Sequence, residues 1–240
     1  MTGSSTGIGA AVAMECAAAG ADIVVSCLRS HDDADRVAGS IRAAGRRADV
    51  IPVDVSDTAS CQAFLKSCRD TGRIDALVNN AGANLLTAAM KDADYFVKLQ
   101  TLLDVDVRGT LQLSKAFGQH LKEQDRGCVL TIGWDQSDRG MEGDSGELFA
   151  TAKNAIMGFT RSLALSLAPK VRVNCIAPGW IQTEWGTGAS DYWQQRVISE
   201  TPLRRWGRPQ DVASAARFLL SNDAEYITGQ VVNVNGGAVR

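Results

Sequence analysis

Short apolar runs rich in valine and isoleucine alternate along this chain with longer stretches of helical periodicity. The runs cover 23–27, 50–53, 74–78, 128–132, 171–176 and 231–234. They are continuous rather than alternating, as strands covered on both faces should be. Helical patterns fill the spaces between them, at 8–19, 34–44, 59–71, 95–123, 148–167 and 209–220. This alternation predicts an α/β fold: one domain over 1–240, with a doubly wound parallel sheet and helices on both faces. The stretch 182–208 reads as the one long irregular segment, and such segments inside compact domains tend to be functional lids.

Composition narrows the function classes. With 240 residues, 45% of them hydrophobic, the chain can bury one good core. Its net charge is −2 and it has no basic block, so nucleic acid is not expected as a partner. No apolar run reaches the ~18 residues of a membrane span, and no membrane partner is expected. Nothing at the start resembles a signal peptide. The cysteines Cys16, Cys27, Cys61, Cys68, Cys128 and Cys175 form no C-x-x-C pair. They read as reduced thiols of a cytoplasmic protein. His31 and His120 are far apart, so no metal site is expected.

Residues 2–9 read TGSSTGIG, with Gly3, Gly7 and Gly9 spaced G-x-x-x-G-x-G. Missing side chains let a backbone approach a pyrophosphate, and a helix beginning near Gly7 offers its positive end. Such a loop should follow a strand, yet only Met1 precedes it. The first strand therefore reads as truncated at the N-terminus, and an extended native N-terminus is the expectation. Three further segments fall at carboxyl ends of strands, where open α/β sheets bind ligands. They are Asp54-Val55, Asn79-Asn80-Ala81-Gly82 and Pro178-Gly179-Trp180-Ile181-Gln182-Thr183.

Together with VRVNCIAPG, PLRRWGRPQDVA and ITGQVVNVNGG, these motifs run in order from Thr2 to Gly237. In them the chain resembles the short-chain dehydrogenase/reductase family, in particular its compact carbonyl-reductase branch with the acyl-carrier-protein ketoreductases. The resemblance implies a bound NAD(P), with Asp54 near the adenine and Asn80, Ala81 and Gly82 along the adenosine side. It implies Ile181 and Thr183 near the nicotinamide amide. Ser5, Thr6 and Ile8 belong to the same loop, and Val55, Pro178 and Gly179 to the same strand ends. Between the two nucleotides the residues favour NADP over NAD. No acid ends the second strand; Cys27-Leu28-Arg29-Ser30 stands there, and Arg29 can meet a 2′-phosphate by a forked contact. The plainer alternative for Arg29 is a solvated surface residue.

The reacting positions depart from the family. The resemblance implies a proton-transferring tyrosine, a lysine that lowers its pKa and binds the nicotinamide ribose, a serine for the substrate oxygen and an asparagine for a proton relay. Here Lys153 is kept, four residues after Phe149, which takes the tyrosine position on the same helix face. Asp106 takes the asparagine position and Trp134, after Gly133, the serine position. Ser137 or Ser145 could be a displaced serine. Asp106, Asp135, Glu147 and Tyr192 are the candidate replacement acids, against a plain reading in which Asp106 caps or pairs with Lys153, Asp135 and Glu147 are solvated loop charges and Tyr192 closes a pocket. Trp134, Trp180, Trp185 and Trp193 map to the site rim or lid, suiting a flat, ring-shaped or aromatic ligand, or else they pack the lid down. Trp206 and Tyr226 read as structural.

Three function classes follow. The family reaction is NADP-dependent reduction of a carbonyl or oxidation of a secondary alcohol. A catalytically impaired pseudoenzyme would serve as cofactor sensor or partner subunit. Non-redox, carboxylate-assisted chemistry in the same pocket is the third. The long helices and the last strand commonly form interfaces in the family, so a homotetramer is expected first and a homodimer second.

Overall fold

The computed structural model describes residues 1–85 and 88–239. In chain order its elements are α1 (Gly7–Ala18), β1 (Ile23–Val25), α2 (His31–Ala43), β2 (Ala48–Val50), α3 (Thr58–Asp70) and β3 (Ala76–Asn79). There follow α4 (Ala88–Lys91), α5 (Tyr95–Leu102), a π-helical segment (Leu103–Arg108), α6 (Gly109–Glu123), β4 (Gly127–Ile132) and α7 (Asp144–Leu167). The chain ends with β5 (Val171–Pro178), α8 (Glu184–Thr187), α9 (Asp191–Glu200), α10 (Pro209–Leu220) and β6 (Val231–Val234).

All strand pairs are parallel. β3, β4, β5 and β6 make one four-stranded sheet, and β1 pairs with β2 in a second, two-stranded one. Helices α3, α6 and α7 cover one face through Phe64, Leu113, Phe117, Leu163 and Leu167. α1 and α10 cover the other through Val12, Val212, Ala216 and Leu219, packed on Val78, Leu130 and Ile176. α2 closes over β1 and β2 with Val37, Ala38 and Ile41. β4 and β5, at the middle of the larger sheet, are the most deeply buried strands, while Asp49 of β2 and Asn233 of β6 are exposed.

Three sequence expectations need correction. The second strand is Ala48–Val50 and not 50–53, because Ile51 and Val53 already run past the pairing, bonding singly to the carbonyls of Val25 and Cys27. The helix expected over 95–123 is interrupted at Leu103–Arg108 by a π-helical turn, which carries Asp106. Single π turns inside α-helices cluster at functional sites. The segment 182–208 is not irregular: it holds α8 and α9 and is clipped to the body by a bridge between Ile181 and Gly207.

The start of the chain lies between the two sheets. Met1 donates from its amino group to the Val24 carbonyl (3.0 Å). The Thr2 N–H bonds to Val78 O (3.0 Å) and the Ser4 N–H to Ser26 O (2.9 Å). Below this short extended piece, β1 and β3 face each other across a cleft of about 490 Å³ lined by Cys16, Ile23, Val24, Phe64, Leu77 and Phe117. No strand of the described residues lies between them.

Candidate active site

The loop before α1 is shaped by close approach. Gly3 and Gly7 hold φ of +57° and +54°, a region where side chains other than glycine are strained. A Cβ on Gly9 would lie 2.1 Å from Gly3 O and 2.5 Å from Asn80 Nδ2. Asn80 fixes the loop by donating to Gly3 O (2.7 Å), and the Thr2 hydroxyl accepts from the N–H groups of Asn80 and Ala81 (3.0 and 3.1 Å). Ser5, Thr6 and Ile8 stay at least partly open, and the Thr6 side chain makes no capping bond to α1. Its free N–H groups and the positive end of the helix dipole suit an anion. Across the cleft, a Cβ on Gly7 would stand 3.6 Å from Thr183 Cγ2, so Thr183 faces the loop. The cradle fits a dinucleotide phosphate.

The remaining cofactor candidates of the sequence lie at or just beyond strand ends. Asp54 accepts from the Ser56 N–H (2.9 Å) and hydroxyl (2.6 Å). Val55 is buried against Gly109, where a Cβ would fall 2.9 Å from Val55 Cβ. Gly82 is exposed beside Ala81, and Pro178 and Gly179 end β5. Ile181 is buried. Arg29 and Ser30 are exposed just beyond β1, at the mouth of α2.

The reacting positions come together, with altered chemistry. Lys153 Nζ lies 2.9 Å from Asp106 Oδ2, with the two side chains only 14% and 1% exposed. Asp106 Oδ1 accepts the Ala83 N–H (2.7 Å), and Lys153 also donates to Ile132 O (3.3 Å). Both charges are thus engaged at the ends of β3 and β4. Asp106 is an acceptor in this arrangement, which matches the plain reading of it as the partner of Lys153. Neither the Ala83 amide nor the Ile132 carbonyl was foreseeable, since main-chain partners leave no residue-type signal.

Trp134 and Phe149, expected from the sequence at the family's serine and tyrosine positions, meet edge to face with ring centroids 6.2 Å apart. A serine at 133 would force the Met157 or Cys175 side chain to shift, because its Cβ would lie 2.8 Å from Met157 Cγ and 2.9 Å from Cys175 Sγ. Ser137 is buried in the turn after Trp134 with no hydrogen bond to its hydroxyl, and Ser145 is exposed in the first turn of α7.

Asp135 is not a solvated loop charge. It is 1% exposed; Asn235 Nδ2 donates to its Oδ2 (3.0 Å) while its Oδ1 has no partner. Burial pushes its carboxyl up to about 6 despite that hydrogen bond. Asn235 also donates to Val239 O (2.9 Å), so Asp135 is turned toward the C-terminal tail. Glu147 accepts from the Tyr95 hydroxyl (3.2 Å) and is exposed. Tyr192 is 62% exposed and accepts from Arg196 (3.3 Å).

The tryptophans divide into two groups, where the sequence suggested one. Trp180 packs against Trp185, Trp193 and Trp206 with centroids 6.1, 5.3 and 6.4 Å away. Trp134 is with Phe149 instead. Trp206 comes close because residue 186 is glycine, whose Cβ would meet Trp206 Cζ3 at 2.9 Å. Arg196 braces this cluster, lying 5.0 Å over Trp193 and bonding both oxygens of Glu142 (2.6 and 3.2 Å).

Among the described residues no group of acids, histidines and cysteines could hold a metal, and no helix is long and apolar enough to cross a membrane. All six cysteines are buried and free.

Known proteins share this frame. A family model described as enoyl-(acyl-carrier-protein) reductase matches residues 3–239. The 3-oxoacyl-[acyl-carrier-protein] reductase of Synechocystis is 36% identical, covering 100% of this chain and 95% of that protein. The Escherichia coli 3-oxoacyl-[acyl-carrier-protein] reductase FabG is 35% identical, covering 99% and 95%. Among solved structures, a 7α-hydroxysteroid dehydrogenase complexed with NADH and 7-oxo glycochenodeoxycholic acid superposes with a TM-score of 0.90 at 31% identity, covering 100% of this chain and 92% of that one. With the cradle, the parallel sheet and these likenesses in hand, the chain belongs to the short-chain dehydrogenase/reductase family of oxidoreductases, in its 3-oxoacyl-[acyl-carrier-protein] reductase-like branch.

Proposed function

We propose that this protein binds NADP(H) across its strand ends and has given up the family's ordinary ketone reduction, serving as a cofactor sensor or a partner subunit. The observation that carries this reading is the pair of substitutions around Lys153. Trp134 and Phe149 present ring edges where two hydroxyls would serve a substrate oxygen, and Asp106 takes up the lysine directly. A bound nicotinamide would supply the hydride. The chain's own residues would hold it: Gly3, Gly7 and Gly9 around the phosphates, Asn80 keeping the loop in place, Thr183 facing that loop and Lys153 at the ribose. Arg29, exposed beyond β1, suits a 2′-phosphate and favours NADP over NAD.

A positioned general acid contributes roughly 10²–10⁴ in rate. No hydroxyl on the tyrosine or serine position is left to supply it. A second reading, a working oxidoreductase with a substituted acid, draws on Asp135, whose raised pKa would let it carry a proton near neutrality. Its bond to Asn235 turns it away from that task. Phe96 and Leu165 are largely exposed on α5 and α7, and Tyr226 lies fully exposed near β6, in keeping with a homotetramer.

Titration with NADPH and NADH, followed by tryptophan fluorescence, tests the binding half. Turnover on a ketone panel by the natural chain and by Phe149→Tyr tests the rest. Tight NADPH binding with background turnover by the natural chain is expected. Turnover by the natural chain comparable to that of an intact family reductase would sink the proposal.

A further inference from the structure

We infer that Asp106 sets which redox state of the nicotinamide the site prefers, favouring the oxidised form. This rests on the cofactor reading above. Oxidised and reduced dinucleotides differ by one unit of charge, carried on the nicotinamide ring; the phosphates, riboses and adenine are common to both. Uncharged contacts therefore treat them nearly alike, and a fixed charge beside the ring does not.

On that reading Lys153 sits at the nicotinamide ribose, and the charge paired with it is that of Asp106. A lone lysine there would oppose a second positive charge. In this chain it is not alone: Asp106 lies 2.9 Å away and almost wholly buried. The carboxylate is also held still. Its Oδ1 accepts from Ala83 N–H, and its Oδ2 would lie 3.1 Å from a Cβ on Gly82. The π-helical turn Leu103–Arg108 that presents it is itself packed between α5, α6 and α7. Lys153 in turn is anchored on the Ile132 carbonyl. The pair is a fixed, net-neutral unit, and a positive ring beside it loses the repulsion that an unpaired lysine would impose. Asparagine at 106 would have nearly the same shape and no charge.

The test compares dissociation constants for NADP+ and NADPH, by calorimetric titration at one pH and ionic strength. The four proteins are the natural chain, Asp106→Asn, Lys153→Met and the double variant. The readout is the ratio of the two constants, in which any common loss of affinity from disturbed packing cancels. Asp106→Asn leaves a bare positive charge and should raise the NADP+/NADPH ratio about five- to tenfold. Lys153→Met leaves a bare negative charge and should lower it. The double variant is neutral again and should return to within about twofold of the natural ratio. Equal ratios in all four proteins would overturn the inference while leaving cofactor binding intact. Failure of the natural chain to bind either dinucleotide would overturn the cofactor reading and the inference with it.

Discussion

The indole of Trp134 meets the ring of Phe149 edge-on, at an interplanar angle of 67°. On the proposed function this contact takes the place of two hydroxyls, and it ties their restoration together. Phe149→Tyr alone adds an O–H beside an indole that still occupies the oxygen's position. Trp134→Ser alone removes the indole without supplying a proton donor. The double variant should therefore reduce simple ketones at least ~10²-fold faster than either single one. Initial rates at saturating NADPH check this, and additive single effects would contradict it.

Asp135 should make the protein less stable at neutral pH than at mildly acid pH. Its folded-state pKa is raised to about 6 from an ordinary 3.8. Between those values the native state binds more protons than the unfolded one, so stability falls as pH rises through the window and is flat above it. Asp135→Asn keeps an acceptor for Asn235 and removes the charge. It should stabilise by about 2–3 kcal/mol at pH 7–8, with the gain vanishing near pH 4. Urea unfolding across that range measures it; a gain independent of pH would point to packing instead.

Gly9 tolerates nothing larger. A methyl group would sit 2.1 Å from a main-chain oxygen, so Gly9→Ala must push α1 away from the loop. A loss of about 1–3 kcal/mol in stability and at least ~10-fold in NADPH affinity is expected. Gly39, exposed on α2 with open space around its Cβ position, is the control, and Gly39→Ala should be neutral or mildly stabilising.

Arg29→Glu should reverse the nucleotide preference. A carboxylate there repels a 2′-phosphate and accepts from ribose hydroxyls. The NADPH/NADH affinity ratio should fall by at least ~10-fold. An unchanged ratio would return Arg29 to the solvated surface.

Arg196 ties α9 to Glu142, before α7, and within α9 it pairs with Glu200 and lies over the face of Trp193. Arg196→Met keeps some apolar cover and loses all three charged contacts. Faster proteolytic cleavage within 182–208, with little change in the global melting temperature, is the expected result.

The strands and helices were legible because burial on both faces leaves continuous apolar runs, and those runs survive in any frame. The glycine-rich loop was legible because Gly9 and Asn80 answer a backbone constraint that few other residues can meet. Other features depended on long-range neighbours. Asp135 read as a loop charge because its partner, Asn235, lies a hundred residues away. The π turn around Asp106 has no periodicity of its own within six residues. Trp134 could not be separated from the lid tryptophans without knowing which ring each one touches. The apolar run at 50–53 misled because burial continues there after strand pairing has ended.

The cleft between β1 and β3 has a mechanical side. At its end the first four residues lie between Ser26, just beyond β1, and Val78 of β3. Among the described residues the main-chain bonds there run from Met1 to Val24, from Thr2 to Val78 and from Ser4 to Ser26. A pull on Met1–Ser4 would therefore load both sheets at once, as a pin through two plates does.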